Sequence, residues 1–180
     1  MPITTAHLRE TLVAYLDAHP EENGLLEPVV SLIDAGADLT SRKEFRGHAT
    51  AGALLVNPDG RVLHIHHLTL DRWLLPGGHL EVDDVRLVDA AQRELTEETG
   101  IPASAVVPEG LRPLQIDVHS IPANDAKREP EHQHIDFRFL FRSSAEVGAL
   151  QTEEVSAAAW RDAETITDET LRYRTMRALC

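Results

Sequence analysis

Gly77-Gly78-His79-Leu80-Glu81-Val82-Asp83-Asp84, followed by a helical run that ends Arg93-Glu94-Leu95-Thr96-Glu97-Glu98-Thr99-Gly100-Ile101, is the stretch that decides how this chain is read. Val85 to Thr99 reads as a helix, closed by Gly100 and then Pro102. Glu94, Glu97 and Glu98 are related as i, i+3 and i+4, so the three carboxylates leave one helical face. Like charges so placed repel, and an isolated helix gains nothing from them. Cations between them would make the arrangement favourable, and Mg²⁺ takes carboxylate, water and phosphate oxygens in an octahedron. Leu87, Val88, Ala91 and Leu95 give the same helix a face to bury. Gly77-Gly78 permits a tight turn and close backbone approach, which reads as a loop aiming a carbonyl or amide at a metal or phosphate.

Outward from the helix, the chain divides into three. Residues 1–46 form a helical extension: Leu8, Leu12, Tyr15 and Leu16 have helical spacing up to His19-Pro20, and Leu25 to Ile33 repeats it. Ser41 to Gly47 reads as a polar linker. Residues 47–161 alternate strands with the central helix. Ala49 to Val56 and Arg61 to His67 flank the turn Asn57-Pro58-Asp59-Gly60 as a hairpin. Leu114 to Ile121, His134 to Phe141 and Val155 to Trp160 are further strands, and residues 162–180 return to a helix packed on the domain.

Composition narrows the class. The 180 residues are 42% hydrophobic and 26% charged, as in a soluble globular domain. No apolar run approaches the roughly 20 residues that cross a bilayer, and the first residues carry no secretory pattern, so no membrane partner is expected. Cys180 is the one cysteine, which fits a reducing cytoplasmic location. Lys and Arg number 17 against 30 Asp and Glu, a formal net charge of −13. That surface repels a nucleic-acid duplex, yet a small phosphorylated substrate is compatible with it once cations reverse the local sign.

The ordered set of diglycine, acidic loop and Arg-Glu-Leu-x-Glu-Glu-x-Gly-Ile resembles the Nudix box: Gly, five residues, Glu, seven residues, Arg-Glu, an aliphatic, any residue, Glu-Glu, any residue, Gly, an aliphatic. Arg93 to Ile101 matches at every specified position. Gly78 to Arg93 is one residue longer than the pattern, and Asp83 or Asp84 stands near the early Glu. The resemblance implies an α/β (α+β) fold, a Nudix-type α/β/α sandwich around a mixed sheet, with extra helices at both ends. It further implies Mg²⁺ or Mn²⁺ held by Glu94, Glu97, Glu98 and Gly78, with Arg93 orienting Glu94. The implied reaction is attack of a metal-activated water on a diphosphate linkage of a nucleotide-like substrate, with Glu98 or Glu94 taking the proton. A base outside the box is another family option, with Glu81, Asp136, Glu153 and Glu154 as candidates.

Ten histidines add a second theme. His132 and His134 are two apart at a strand's start and so share a face; His48 opens a strand, His79 follows the diglycine, and His119 lies on the neighbouring strand. Together with Glu81 and Asp136 they are candidates for substrate contact or for an additional transition metal. Arg138 and Arg142 share a strand face, either as phosphate ligands or as solvated edge charges. Two further readings accompany the hydrolase. One is a silent Nudix-fold module that binds a nucleotide. The other is similar to isopentenyl-diphosphate isomerase, whose metal-binding histidines His48 and His79 resemble but whose loop cysteine this chain lacks. The N-terminal helices are read as elements of a homodimer or as a shield over the pocket.

Overall fold

In a computed structural model, which describes residues 1–125 and 128–180, two helices precede the sheet: α1 (Thr5–Ala18) and α2 (Asn23–Asp34). There follow β1 (His48–Val56), β2 (Arg61–His67), β3 (Arg72–Leu74), β4 (Gly77–His79), α3 (Leu87–Thr99), β5 (Val107–Pro108), β6 (Gln115–Ile121), β7 (His132–Arg142), β8 (Val155–Asp162) and α4 (Glu169–Ala178). The strands form one eight-stranded mixed sheet with β3-β2-β1-β7-β5 in order; β4 pairs with β1, β6 with β7 and β8 with β2. Among the described residues β1 and β7 are the parallel pair, in register from His48↔His134 to Val56↔Arg142.

That register divides the chemistry between two faces of the sheet. Ala49, Ala51, Ala53 and Leu55 of β1 lie on the same face as Ile135, Phe137, Phe139 and Phe141 of β7, and all are buried in one apolar cluster. Leu87, Val88, Ala91 and Leu95 of α3 join it, as do Leu8 and Leu12 of α1 and Leu26 and Val29 of α2. On the opposite face Leu54, Val56 and Leu140 pack with Ile166 and Leu171 at α4, in a second cluster. The remainder of that opposite face carries His48, Thr50, His134 and Asp136, which are polar. Helices therefore cover both sides of the sheet, as the α/β/α reading expects, and one end of the second face is polar.

Several local expectations need correction. The diglycine is not in a loop but in β4, paired antiparallel with β1 as Ala51↔Gly78 and Gly52↔Gly77. The expected hairpin pairs only at Val56↔Val62. Beyond it the strands diverge, β1 toward β4 and β7, and β2 toward β3 and β8. Helix α3 starts at Leu87 rather than Val85, because Arg86 is extended (φ −136°, ψ 148°) and Ile3 N–H donates to the Asp84 carbonyl just before it. Its end falls where expected, at Gly100 in the left-handed region (φ 66°). Arg138 is no solvated edge charge: its guanidinium donates to Asp136, Asp117 and Gln115 at 2.8–2.9 Å.

Candidate active site

Arg93 is the centre of the box. Its Nε and Nη2 donate to the two oxygens of Asp84 at 3.1 and 3.0 Å, and Nη2 also donates to the His79 carbonyl at 3.0 Å. Nη1 reaches Glu94 at 3.0 Å and Glu97 at 3.1 Å, with Glu81 at 3.8 Å. Asp84 is buried and also accepts from Glu81 N–H at 2.7 Å. Of the two aspartates left open by the sequence, Asp84 therefore faces Arg93. The longer loop is absorbed without loss of that charged contact, a distinction the spacing alone did not carry.

Four carboxylates thus surround one guanidinium, and a fifth stands beside them. Glu98 is 2% exposed, and its Oε2 accepts from Gly77 N–H at 2.9 Å. Burial pushes the Glu98 carboxyl up to about 8; the Gly77 amide lowers it, and the neighbouring Glu94, Glu154 and Glu97 raise it. Burial likewise pushes Glu94 up to about 7, against the opposing pull of Arg93. Arg93 is itself held above its ordinary value, because Asp84 and Glu94 outweigh the effect of burial. The donor set is all oxygen, partly buried and short of positive charge. This fits a hard divalent cation. Gly78 is part of the same geometry, since a Cβ there would lie 2.6 Å from the Glu94 carboxylate.

The candidate bases outside the box separate. Glu154 adds to the negative field at Glu98, and Glu81 borders Arg93. Asp136 is engaged by Arg138 at 2.8 Å and by the Thr50 hydroxyl at 3.2 Å. Asp117 completes the Arg138 cage and also meets His119 Nδ1 at 3.0 Å, a role its sequence context did not signal.

The histidines converge on the polar end of the other face. His48 lies with ring centroids 4.8 Å from His134, 5.0 Å from His132 and 5.2 Å from His79; His79 and His134 are 5.1 Å apart, and His119 is 5.7 Å from His134. Burial depresses His79 to about 4 and His134 to about 3, with the neighbouring imidazoles pushing the same way. His48 is lowered by burial too. Burial thus favours the neutral form of the His79 and His134 rings. All five histidines singled out in the sequence are thus brought into one group, and the glutamates of α3 into another.

The model for the NUDIX domain matches residues 46–179 of this chain, through α4. The "Probable DHNTP pyrophosphohydrolase" of Lactococcus lactis is 36% identical over 107 residues, covering 56% of this chain and 61% of that protein. The phosphatase NudJ of Escherichia coli is 44% identical over 61 residues, 33% of this chain and 39% of NudJ. The chain thus spans less than two thirds of the length of these relatives. A hydrolase of the NUDIX family from Clostridium perfringens superposes with a TM-score of 0.56 at 21% identity, over 73% of this chain and 95% of that one, which is a likeness of fold.

Proposed function

The chain belongs to the Nudix family, and from that premise we propose that it is a Mg²⁺- or Mn²⁺-dependent hydrolase that cleaves a diphosphate linkage in a nucleoside diphosphate derivative. The observation that carries this reading is the excess of carboxylate gathered around Arg93 and the last turns of α3. Glu94, Glu97, Asp84 and Glu81 share Arg93 as their partner cation, and beside them Glu98 is pushed up to about 8 by burial, with Glu94, Glu154 and Glu97 raising it further. Glu94, Glu97 and Glu98 would hold the divalent ions, with the Gly78 backbone close against Glu94. Bound there, such ions lower the pKa of water and neutralise charge on the diphosphate oxygens.

The chain's own groups supply the rest. Glu94 and Glu98, the buried pair, are placed to accept the proton of the attacking water, whereas Glu97, its side chain 47% exposed, serves as a ligand. Arg93 fixes Glu94 and ties the helix to the β4 backbone through the His79 carbonyl. The relatives' names point to pyrophosphohydrolase and phosphatase chemistry on small phosphorylated compounds. A silent binding module gains no support from the lengthened loop, because Asp84 restores the contact with Arg93. The isomerase reading lacks its thiol, since Cys180 is exposed and its Sγ donates to the Met176 carbonyl at the end of α4.

The test is a phosphate-release screen over nucleoside triphosphates, ADP-ribose, dinucleoside polyphosphates and prenyl diphosphates, each with Mg²⁺ or Mn²⁺. Metal-dependent release from at least one nucleotide class is expected. Nucleotide binding with no turnover of any compound would establish the silent module instead.

A further inference from the structure

His48, His79 and His134 each offer a ring nitrogen, and the three nitrogens lie within 4.8 Å of one another. They come from β1, β4 and β7, three adjacent strands, with His48↔His134 and Thr50↔His79 in register. That places them on the sheet face opposite Gly78 and its Glu94 contact. Strands hold side chains more firmly than loops do, so the grouping is a property of the fold.

Two features go beyond proximity. The Nε2 atoms of His48 and His134 are buried and have no hydrogen-bond partner. Buried polar atoms are seldom left so, because each has given up water without replacement. His48 Nδ1 meets the Glu44 carbonyl at 3.3 Å. With the proton on Nδ1, Nε2 presents a bare lone pair, the usual tautomer of a metal-binding imidazole with a backbone carbonyl behind it. His48 is 1% exposed, while His79 and His134 are half-buried, so the group is closed on one side and open on the other. His132 lies beside it, its Nδ1 tied to the Pro130 carbonyl at 2.8 Å.

We propose that His48, His79 and His134 bind one first-row transition-metal ion of the zinc class, separate from the ions at the glutamates, with a coordination position left for water or a phosphate oxygen. Three neutral imidazoles suit Zn²⁺, Co²⁺ or Ni²⁺ and are poor ligands for Mg²⁺, which prefers oxygen. The site would satisfy both orphaned nitrogens at once. The assignment does not depend on the hydrolase reading.

The probe is Co²⁺ alone, added to the full chain after chelator treatment, with the visible absorption of tetrahedral cobalt as readout. One equivalent should give an intense band that Zn²⁺ displaces. The band should persist in the Glu97→Gln, Glu98→Gln double variant, which disables the other site. His79→Asn and His134→Asn should each weaken Co²⁺ binding by about a hundredfold, with circular dichroism confirming that each variant is folded. Absence of the band, its loss in the glutamate variant, or its survival in folded His79→Asn would overturn the assignment.

Discussion

Gly78 and Glu94 approach so closely that a Cβ on the glycine would lie 2.6 Å from the glutamate's carboxylate carbon. The contact joins the edge of the sheet to the carboxylate-bearing face of α3, and it leaves no room for any side chain. Gly78→Ala must therefore displace Glu94 rather than unfold the chain. Turnover should fall by about a hundredfold or more, since a misplacement of about 1 Å at such a site costs that much. Steady-state kinetics beside a thermal melt would check this; an unchanged kcat would show that turnover does not depend on the position of the Glu94 carboxylate.

Asp84 and Asp83 should behave differently although they are neighbours. Asp84 is 6% exposed and accepts two hydrogen bonds from Arg93, whereas Asp83 is exposed. Asp84→Ala leaves Arg93 with part of its compensation gone, and the expected loss of stability is about 3 kcal/mol. Asp83→Ala should stay within about 0.5 kcal/mol of the parent. Urea denaturation distinguishes the two, and equal effects would place the charge partner of Arg93 elsewhere.

The affinity for Mg²⁺ should rise with pH. In the metal-free protein burial holds Glu94 and Glu98 at about 7 and about 8, above the ordinary 4.5, and an ion binds the deprotonated forms. Calorimetric titration should show binding that strengthens as pH rises through these values, levels off above about 8, and releases protons. Stability of the metal-free fold runs the other way. The contribution of these carboxyls is fully present below 4.5 and is lost as pH rises toward 8. The histidines oppose it: with His79 and His134 depressed to about 4 and about 3, their contribution is present above 6.5 and lost on acidification. Binding of Mg²⁺ that does not vary with pH across this range would contradict the assignment of the buried glutamates as ligands.

The N-terminal helices are tied to the C-terminal one by a single buried group. Arg174 Nη2 contacts Glu22 at 2.5 Å, Nη1 donates to the Tyr15 hydroxyl and to the Leu114 carbonyl, and Tyr15 donates to Glu22 at 2.6 Å. Burial and the Glu22 contact push the Tyr15 hydroxyl up to about 12. Arg174→Ala strands Glu22 without its cation and should cost about 3 kcal/mol. Limited proteolysis should then cut near residues 19–22 sooner than in the parent. Unaltered stability would mean that α1 is held by its apolar face alone.

What the sequence made legible was local. The helical spacing of Leu87, Val88, Ala91 and Leu95 placed the face of α3, and Gly100 placed its end, because both depend on residues a few positions apart. The strand character of Gly77-Gly78 was hidden, since it arises from pairing with Ala51 and Gly52 some 25 residues earlier. The Arg138 cage was hidden for the same reason: Asp117 and Asp168 reach it from β6 and from the start of α4. The histidines fall between these cases. Alternation put His132 and His134 on one face, but only the parallel register of β1 with β7 brings His48 to them. Asp84 was separable from Asp83 only once Arg93 had a position in space.

The proposed cleavage of a diphosphate linkage depends on divalent ions held by the carboxylates at the end of α3. The most direct measurement is turnover of whichever nucleotide substrate the screen identifies, with and without Mg²⁺, in the parent chain and in the Glu97→Gln, Glu98→Gln double variant. The expected result is Mg²⁺-dependent turnover in the parent and a drop of at least about a thousandfold in the variant, which remains folded. Hydrolysis that persists in the folded double variant would show that these carboxylates do not carry the reaction.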